Sequence, residues 1–398
     1  MTDQRVAAII TKLDGGAGVL ALRGALAAAA AGYETTIVTG SGGRLVTEAR
    51  DAGVEVVLAP ELTTPIRPAT DLRAVRALTA LLRRRRFAVV HTHTAKAGAA
   101  GRIAARRAGA PRIVHTYHGF PFHEFQSPAK RGAYTAVERR LGRITDVALC
   151  VGTGIAVEAV RLGLLPPERI RTMGVAVPPG PAACPDTRKR ARAALGLDPD
   201  AVVVGAVGRL VYQKAPEDFL EALRVLAAAT PGLAGVWIGD GELAPEVRRL
   251  AARPGMPPVV LAGDRTDVAD LLSALDVFAL PSRYEGLPTA IVEAMTCGIP
   301  VVATAVNAVG DVVVPGETGL LVPPRRPVLL AGAIGHLLRH PAEAARMAAT
   351  ARARLGTRFT MDTLRDTLAS AYTPPAAREH TPPSGYMRTL LLAGSVTS

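Results

Sequence analysis

Two glutamates, Glu285 and Glu293, stand eight positions apart in PSRYEGLPTAIVEAMTCGIPVVAT, residues 281–304. They could be an acid/base pair, the two ends of a ligand clamp, or ordinary surface charges. Pro288 suits a first helical turn, where its missing N–H would have had no partner, and Gly298 suits a helix end. Glu285 then lies in a loop and Glu293 inside a helix. At 1.5 Å per residue the two would be ~12 Å apart, beyond the roughly 5–9.5 Å between the carboxyls of glycosidase pairs. Proton transfer at one shared site is therefore disfavoured. Free N–H groups where that helix begins, at Gly286 to Thr289, favour phosphate instead, and the flanking carboxylates can accept hydrogen bonds from sugar hydroxyls. That is a nucleotide-sugar clamp, although spacing alone more often means surface charge.

Other groups with chemistry carry less. Gly15 and Gly16 follow the first strand in KLDGGAG, where a loop without β-carbons lets backbone approach a ligand. The order is not G-x-G-x-x-G and no acidic residue follows at the ribose-reading distance, so hydride transfer with NAD is a poor fit. His91 and His93 alternate onto one strand face, but no carboxylate or cysteine neighbour completes a metal site, so they read as core or cleft residues. Cys150, Cys184 and Cys297 lack paired or metal-type spacing, which argues against a disulfide framework or structural zinc.

The elements that must position these residues alternate. Strand-like runs at 5–11, 34–40, 53–59, 87–93, 112–118 and 146–152 are interleaved with helical stretches at 70–86, 95–108 and around 155–162. Prolines 178, 179, 181 and 185 then disfavour regular structure and read as a linker. A second alternation places strands at 201–210, 234–241, 258–263, 276–282, 299–306 and 318–324, with helices at 216–228, 244–252 and from about 288. Helices at 327–338, 341–355 and 360–372 follow. This α/β pattern predicts two parallel sheets, each covered on both faces, and 398 residues suit two domains. The segment 373–398, with its TPPAAREHTPPSG, reads as a disordered tail; MRTLLLAGSV within it could make a contact but reads first as an untidy terminus.

No apolar run reaches the 18–20 residues of a membrane span and no signal-sequence pattern opens the chain, so a cytoplasmic protein is expected. The net charge of +13 is uneven: residues 1–170 hold 24 Lys and Arg against 13 Asp and Glu, leaving 23 against 21 for the rest. Such a basic half attracts nucleic acid, anionic lipid or a phosphorylated substrate, or is simply a solvated arginine surface. Without an aromatic stacking platform or binding module, nucleic acid is not expected as a partner.

The stretch 281–304 closely resembles the E-x7-E region of the retaining glycosyltransferases of family 4, and further resemblances follow in order over some 360 residues. GRLVYQKAPEDF (208–219) is similar to the family's phosphate-binding segment, IGDGEL (238–243) to its donor-domain turn, and PGETGLLVPP (315–324) to its closing strand. HTHTAKAGAAGRIAARRAGAPRIVHTYHGFPFHEF (91–125) resembles bacterial members that act on polyprenyl-diphosphate-linked glycans.

That resemblance implies the GT-B fold: an acceptor-binding Rossmann-like domain at 1–175, a nucleotide-sugar domain at 176–358, and a helix at 359–372 crossing back to the first domain. It implies that Glu293 binds ribose hydroxyls and that Glu285, with backbone N–H groups of Gly286 and Leu287, contacts the donor sugar. Arg209 and Lys214 would hold the diphosphate and stabilise charge on the leaving group, Gly15 and Gly16 would face it from the other domain, and Gly239 and Gly263 complete the donor set. His118, just before Gly119, would orient the reacting groups, with His115 and His123 supporting it. The implied reaction retains anomeric configuration and needs no metal or other cofactor. Its partners are a nucleoside diphosphate sugar, taken as UDP-linked, and an acceptor glycan or glycolipid reached peripherally on an anionic inner membrane face. A soluble secondary metabolite such as an aminoglycoside is the alternative acceptor, and a sugar-nucleotide sensor or a GT-B epimerase the alternative function. Two departures from the family are MGVA (173–176), which lacks the polar members of an Asn-Gly-Val-Asp turn, and VNAVGD (306–311), which replaces a more glycine-rich loop. Neither is expected to touch the glutamate pair.

Overall fold

A run such as VVVGAV, residues Val202–Val207, has no polar face to turn to water, which fits a parallel strand with helices on both sides. The computed structural model describes residues 4–120, 126–178 and 180–374; His123 and the segment 375–398, most of the proposed tail, lie outside the described residues. It holds two such sheets. The first contains β1 (Arg5–Leu13), β2 (Glu34–Gly42), β3 (Glu55–Leu58), β4 (Val89–His93), β5 (Arg112–Tyr117), β6 (Val147–Cys150) and β7 (Ile170–Thr172), in the order β3-β2-β1-β4-β5-β6-β7. The second contains β8 (Val202–Val207), β9 (Leu233–Ile238), β10 (Val259–Gly263), β11 (Val277–Leu280), β12 (Val301–Thr304) and β13 (Leu320–Val322), in the order β10-β9-β8-β11-β12-β13. Every ladder in both sheets is parallel.

Six helices pack on the first sheet: α1 (Gly15–Ala30), α2 (Arg44–Asp51), α3 (Pro68–Arg85), α4 (Ala95–Ala108), α5 (Pro128–Gly142) and α6 (Thr153–Arg161). The second unit carries α7 (Pro185–Ala194), α8 (Pro216–Ala227), α9 (Ala244–Ala251), α10 (Val268–Leu271), α11 (Thr289–Thr296), α12 (Pro327–Arg339) and α13 (Pro341–Leu355). The last helix, α14 (Met361–Tyr372), returns to the first sheet. It packs on α1, receives the Arg112 Nε–H on the Ala371 carbonyl at 3.0 Å, and sets Tyr372 edge-on to Tyr33.

In each sheet the chain reverses its direction of growth between two strands, β1 and β4 in one and β8 and β11 in the other. Loops leaving the C-terminal ends of such strands diverge to opposite faces and leave a crevice, the usual place for a ligand in this kind of sheet.

Among the described residues four helices and one strand escape the sequence pattern: α2, α5, α7, the one-turn α10 and β7. The α5 segment buries only Glu138, Leu141 and Gly142, too few for an apolar stripe. In α7, Pro185 occupies the first helical turn instead of breaking structure, and an ion pair anchors the helix: Arg192 and Arg188 both grip Asp276. The proline-rich linker is therefore shorter than its composition suggests. Gly15 and Gly16 also lie inside α1 as its first two residues, not in a loop, and α11 starts at Thr289 with Pro288 as its cap.

Candidate active site

Ser282 to Gly286 leave the C-terminal end of β11 at the second crevice, and Glu285 turns inward, 6% exposed. Its Oε1 accepts from Lys214 Nζ at 2.5 Å and from Ser282 Oγ at 2.6 Å, while Gln213 reaches Oε2 only at 3.4 Å. Oε2 thus keeps accepting capacity for a hydroxyl, and the ammonium keeps two of its three donors. Lys214 follows β8, and its stem lies across Gly208, where an added β-carbon would meet it at 3.2 Å. Beside them Arg283 pairs with Glu217 at 2.6 Å and stacks over the Tyr212 ring, bracing the loop from below. Surface charge is thus excluded for Glu285.

VNAVGD does touch the pair, contrary to expectation. Asn307 Oδ1 accepts the backbone N–H of Glu285 at 2.9 Å, and Asn307 adopts a left-handed backbone (φ +41). The same turn crosses to the first domain, where the Asp311 carboxylate accepts the N–H of Thr153 at the start of α6. Nothing in the sequence marked Asn307, because its partner lies 22 residues away across the sheet edge.

Glu293 is separate from this cluster. It sits in α11 facing Arg23 of α1; burial raises its pKa, and the Arg23 charge opposes that rise. The two glutamates have different partners, so they are not one acid/base pair.

On the first domain, alternation along β4 and β5 sorts the histidines. His91 and His93 share a face, rings 4.2 Å apart, whereas His115 turns to the other face and meets Thr92 Oγ1 at 2.9 Å. The chain of contacts on the first face runs from Tyr372 Oη to His91 Nδ1 (2.8 Å), then by ring packing to His93, whose Nδ1 lies 3.0 Å from His118 Nε2. α14 is thereby connected to the candidate catalytic histidine. Burial lowers all four histidines, His118 to about 4 and His91 to about 3, with His93 and His115 well below the ordinary value. His118 is a neutral hydrogen-bonding ring at neutral pH, not a standing acid.

An expected result follows for stability. Unfolded histidines titrate near 6.5. As pH falls below that, the unfolded chain binds protons that these four rings refuse until far lower pH, so stability rises with pH across this range and falls on acidification. The urea midpoint should drop steadily from pH 7 to pH 5, above the ordinary carboxylate range; a flat profile would mean that the native rings take up protons as readily as those of the unfolded chain.

The C-terminal strand ends of the two sheets meet. A β-carbon on Gly286 would lie 2.0 Å from the carbonyl oxygen of His118, so the donor-side loop touches the backbone of the first domain. A cleft of about 640 Å³ opens there, lined among others by Thr94, His118, Gly119, Arg131, Glu285, Gly286 and Asn307. A second cavity of about 620 Å³ shares Thr94 and Ala95 with it and is lined by Gly15, Gly16, Lys12, Lys96, Glu138 and, from the other domain, Arg209. Arg209 is exposed, without a side-chain hydrogen bond or ion pair among the described residues, and its charge helps lower the pKa of Asp14 after the larger effect of Lys12. β-carbons at Gly15 or Gly16 would meet nothing within 4 Å, so packing does not demand these glycines and the space in front of them is open.

Sequence reasoning missed Thr94, the wall between the two cavities. It combines φ +62 with ψ 163, a conformation open almost solely to glycine, at the C-terminal end of β4. A hydrogen bond to Thr11 Oγ1 at 3.1 Å helps hold it there. Only backbone angles reveal such a residue.

Of the donor set, Lys214, Glu293, Gly239, Gly263 and Leu287 line neither cavity, Lys214 reaching the cleft only through its pair with Glu285. Gly239 abuts Gly208, where a β-carbon would fall 2.3 Å from the carbonyl oxygen, and its N–H is spent on the Gly263 carbonyl at 2.7 Å. Both glycines shape the strand ends behind Arg209. The Leu287 side chain is buried in the core.

Comparison with known proteins agrees with this geometry. Residues 201–340 match the family described as glycosyl transferases group 1, and residues 15–176 match the glycosyl transferase 4-like domain. The UDP-Gal:alpha-D-GlcNAc-diphosphoundecaprenol alpha-1,3-galactosyltransferase of Escherichia coli is 31% identical over 66% of this chain and 69% of its own length. The D-inositol 3-phosphate glycosyltransferase of Rhodococcus erythropolis is 33% identical over 72% of this chain and 67% of its own. The crystal structure of the Anabaena protein HepE in complex with UDP and glucose superposes with a TM-score of 0.80 at 22% identity, covering 92% of this chain and 98% of that one, which establishes the GT-B fold.

Proposed function

The chain belongs to the group 1 glycosyl transferases, and on that premise we propose that it moves a sugar from a UDP-sugar to a hydroxyl of a phosphate-bearing acceptor, with retention of configuration. The observation that carries this reading is the convergence at the crevice of Glu285 with its Lys214 partner, His118 and the open glycine pair facing Arg209. Diphosphate would sit between Arg209, the free donors of Lys214 and the N–H groups at the start of α1; the sugar would lie over Gly286 with a hydroxyl on Glu285. As the glycosidic bond breaks, negative charge grows on the diphosphate where these cations already stand, so the site needs no reorganisation. The acceptor hydroxyl would attack from the same face, its proton passing to the leaving phosphate oxygen. In this scheme Arg209 and Lys214 supply the charge that a catalytic metal would otherwise bring. Glu293, beside Arg23, would take the ribose.

UDP as the donor nucleotide is supported by the names of the Escherichia coli relative and of the HepE complex. Thermal-shift and hydrolysis screens of UDP-, GDP- and dTDP-sugars test it: UDP-sugars should stabilise the wild type and not Glu285→Ala. Turnover only with acceptor present indicates a transferase, binding without turnover a sensor, and a free sugar isomer an epimerase.

The acceptor reading is a lipid-linked, phosphate-bearing glycan, supported by the basic first domain and by the diphosphoundecaprenol substrate named for the Escherichia coli relative. The Rhodococcus relative, named for inositol 3-phosphate, favours a soluble phosphorylated acceptor as the second reading. Among the described residues no helix is long and apolar enough to cross a membrane, so a lipid acceptor would be met peripherally. Binding to anionic vesicles at low salt favours the first reading; indifference to vesicles with efficient transfer to a soluble acceptor favours the second.

A further inference from the structure

The corner between α12 and α13 carries a group of side chains that the transfer reaction does not use. α12 ends at Arg339, His340 is the hinge residue, and Pro341 begins α13 with Glu343 in its first turn. His336, one turn before the corner, completes an H-x3-H-x2-E pattern. We propose that His336, His340 and Glu343 form a binding site for a divalent first-row transition ion, with Zn2+ the best fit.

The geometry is close to that of a ligand set. One ligand atom from each of the three residues lies within 4.8 Å of the others, and His336 Nε2 is 3.0 Å from Glu343 Oε2. The imidazole rings stack 4.3 Å apart. With metal–ligand bonds near 2.0–2.2 Å, tetrahedral ligands stand about 3.3 Å from one another, so small side-chain rotations close the set.

The tautomer of His340 is also decided by its partner. Its Nδ1 lies 2.8 Å from the backbone carbonyl of His336, and because a carbonyl can only accept, Nδ1 carries the proton. Nε2 of His340 therefore presents a lone pair, and the orientation of the ring is held by the second-nitrogen hydrogen bond that metal-ligating histidines generally make. On binding, the ion replaces the His336–Glu343 hydrogen bond and the Nε2 proton leaves to solvent or to Nδ1. Two imidazoles and one carboxylate suit zinc, cobalt, nickel or copper and not the oxygen-seeking Mg2+ or Ca2+; water completes the fourth position.

None of the three residues lines the cleft or the adjoining cavity, so the ion has no part in sugar transfer. It would clip the end of α12 to the start of α13, the helix pair through which the chain leaves the second sheet on its way to α14. The inference stands apart from the functional reading above and is tested without measuring activity.

Untagged full-length protein, stripped with chelator, is titrated with Co2+ while visible d–d absorption is followed, and Zn2+ is then used to displace it. One equivalent of tetrahedral Co2+ is expected, with Zn2+ competing and raising the melting temperature of the wild type. His340→Ala, at an exposed position, and Glu343→Gln should each weaken binding at least about tenfold and abolish the thermal shift. Absence of stoichiometric binding by the wild type overturns the proposal. So does unchanged affinity in His340→Ala, which would place the ion elsewhere, for example on the exposed Cys184 thiol.

Discussion

Lys214→Ala is expected to slow sugar transfer by roughly 100-fold or more, the scale seen when one preorganised group is removed from charge developing in a transition state. Two effects add. The leaving diphosphate loses a cation, and Glu285, whose side chain is 5% exposed, loses its counter-ion. The second effect also costs stability, up to about 3 kcal/mol for a buried carboxylate left alone, and it would displace the carboxylate from the sugar. Comparing UDP affinity of Lys214→Ala/Glu285→Gln with that of Glu285→Gln separates the two: removing the stranded charge should restore the melting temperature while UDP binding stays weaker than in Glu285→Gln. If the two variants bound UDP equally well, Lys214 would be a structural partner of Glu285 and not a diphosphate ligand.

Gly286→Ala should be nearly as damaging to catalysis and should lower stability only modestly. A methyl group there would sit 2.0 Å from the His118 carbonyl oxygen and 3.0 Å from its carbon, contacts with backbone that no side-chain rotation relieves. The two domains can relieve the clash by opening a little, at some cost to the apolar cluster that runs between them from Val151 and Ile155 to Leu287 and Ala308. The same opening withdraws Glu285 from His118, and a misplacement of about 1 Å at a reacting centre costs on the order of 100-fold. Turnover should therefore collapse while the chain stays folded, and small-angle scattering should show a slightly larger radius of gyration. Full activity in Gly286→Ala would mean that the closed contact is not the productive one.

Both variants concern residues named on the sequence, yet the reason each matters differs from the one the sequence supplied. Lys214 and Glu285 drew separate roles, one for phosphate and one for sugar, and the fold joins them in a single ion pair at 2.5 Å. Gly286 was named for its N–H, whereas the structure finds its missing β-carbon just as consequential. Gly239 and Gly263 were named as ligand contacts; the structure bonds the Gly239 N–H to the Gly263 carbonyl at 2.7 Å, and neither lines the two cavities. Asn307 and Thr94 were not legible at all. The first acts through a partner distant along the chain, and the second is betrayed only by a backbone conformation that its side chain does not advertise.

What the amino-acid order determined alone was local and repetitive: apolar runs too uniform for an exposed strand, their alternation with helical stretches, and short motifs whose succession matches one enzyme family. These follow from nearest-neighbour physics, because periodicity and turn chemistry are properties of a few consecutive residues. Where elements lack an apolar stripe, as in α5 and α7, that information is missing, since their anchors are buried or bridging charges whose partners lie elsewhere: Glu138 on Arg102, Arg192 on Asp276. Only the tertiary structure decided which of the two glutamates lies at the crevice, that a histidine series links the last helix to His118, and that strand ends of the two sheets touch at Gly286. Those are matters of through-space distance between segments well separated along the chain, and no local pattern encodes them.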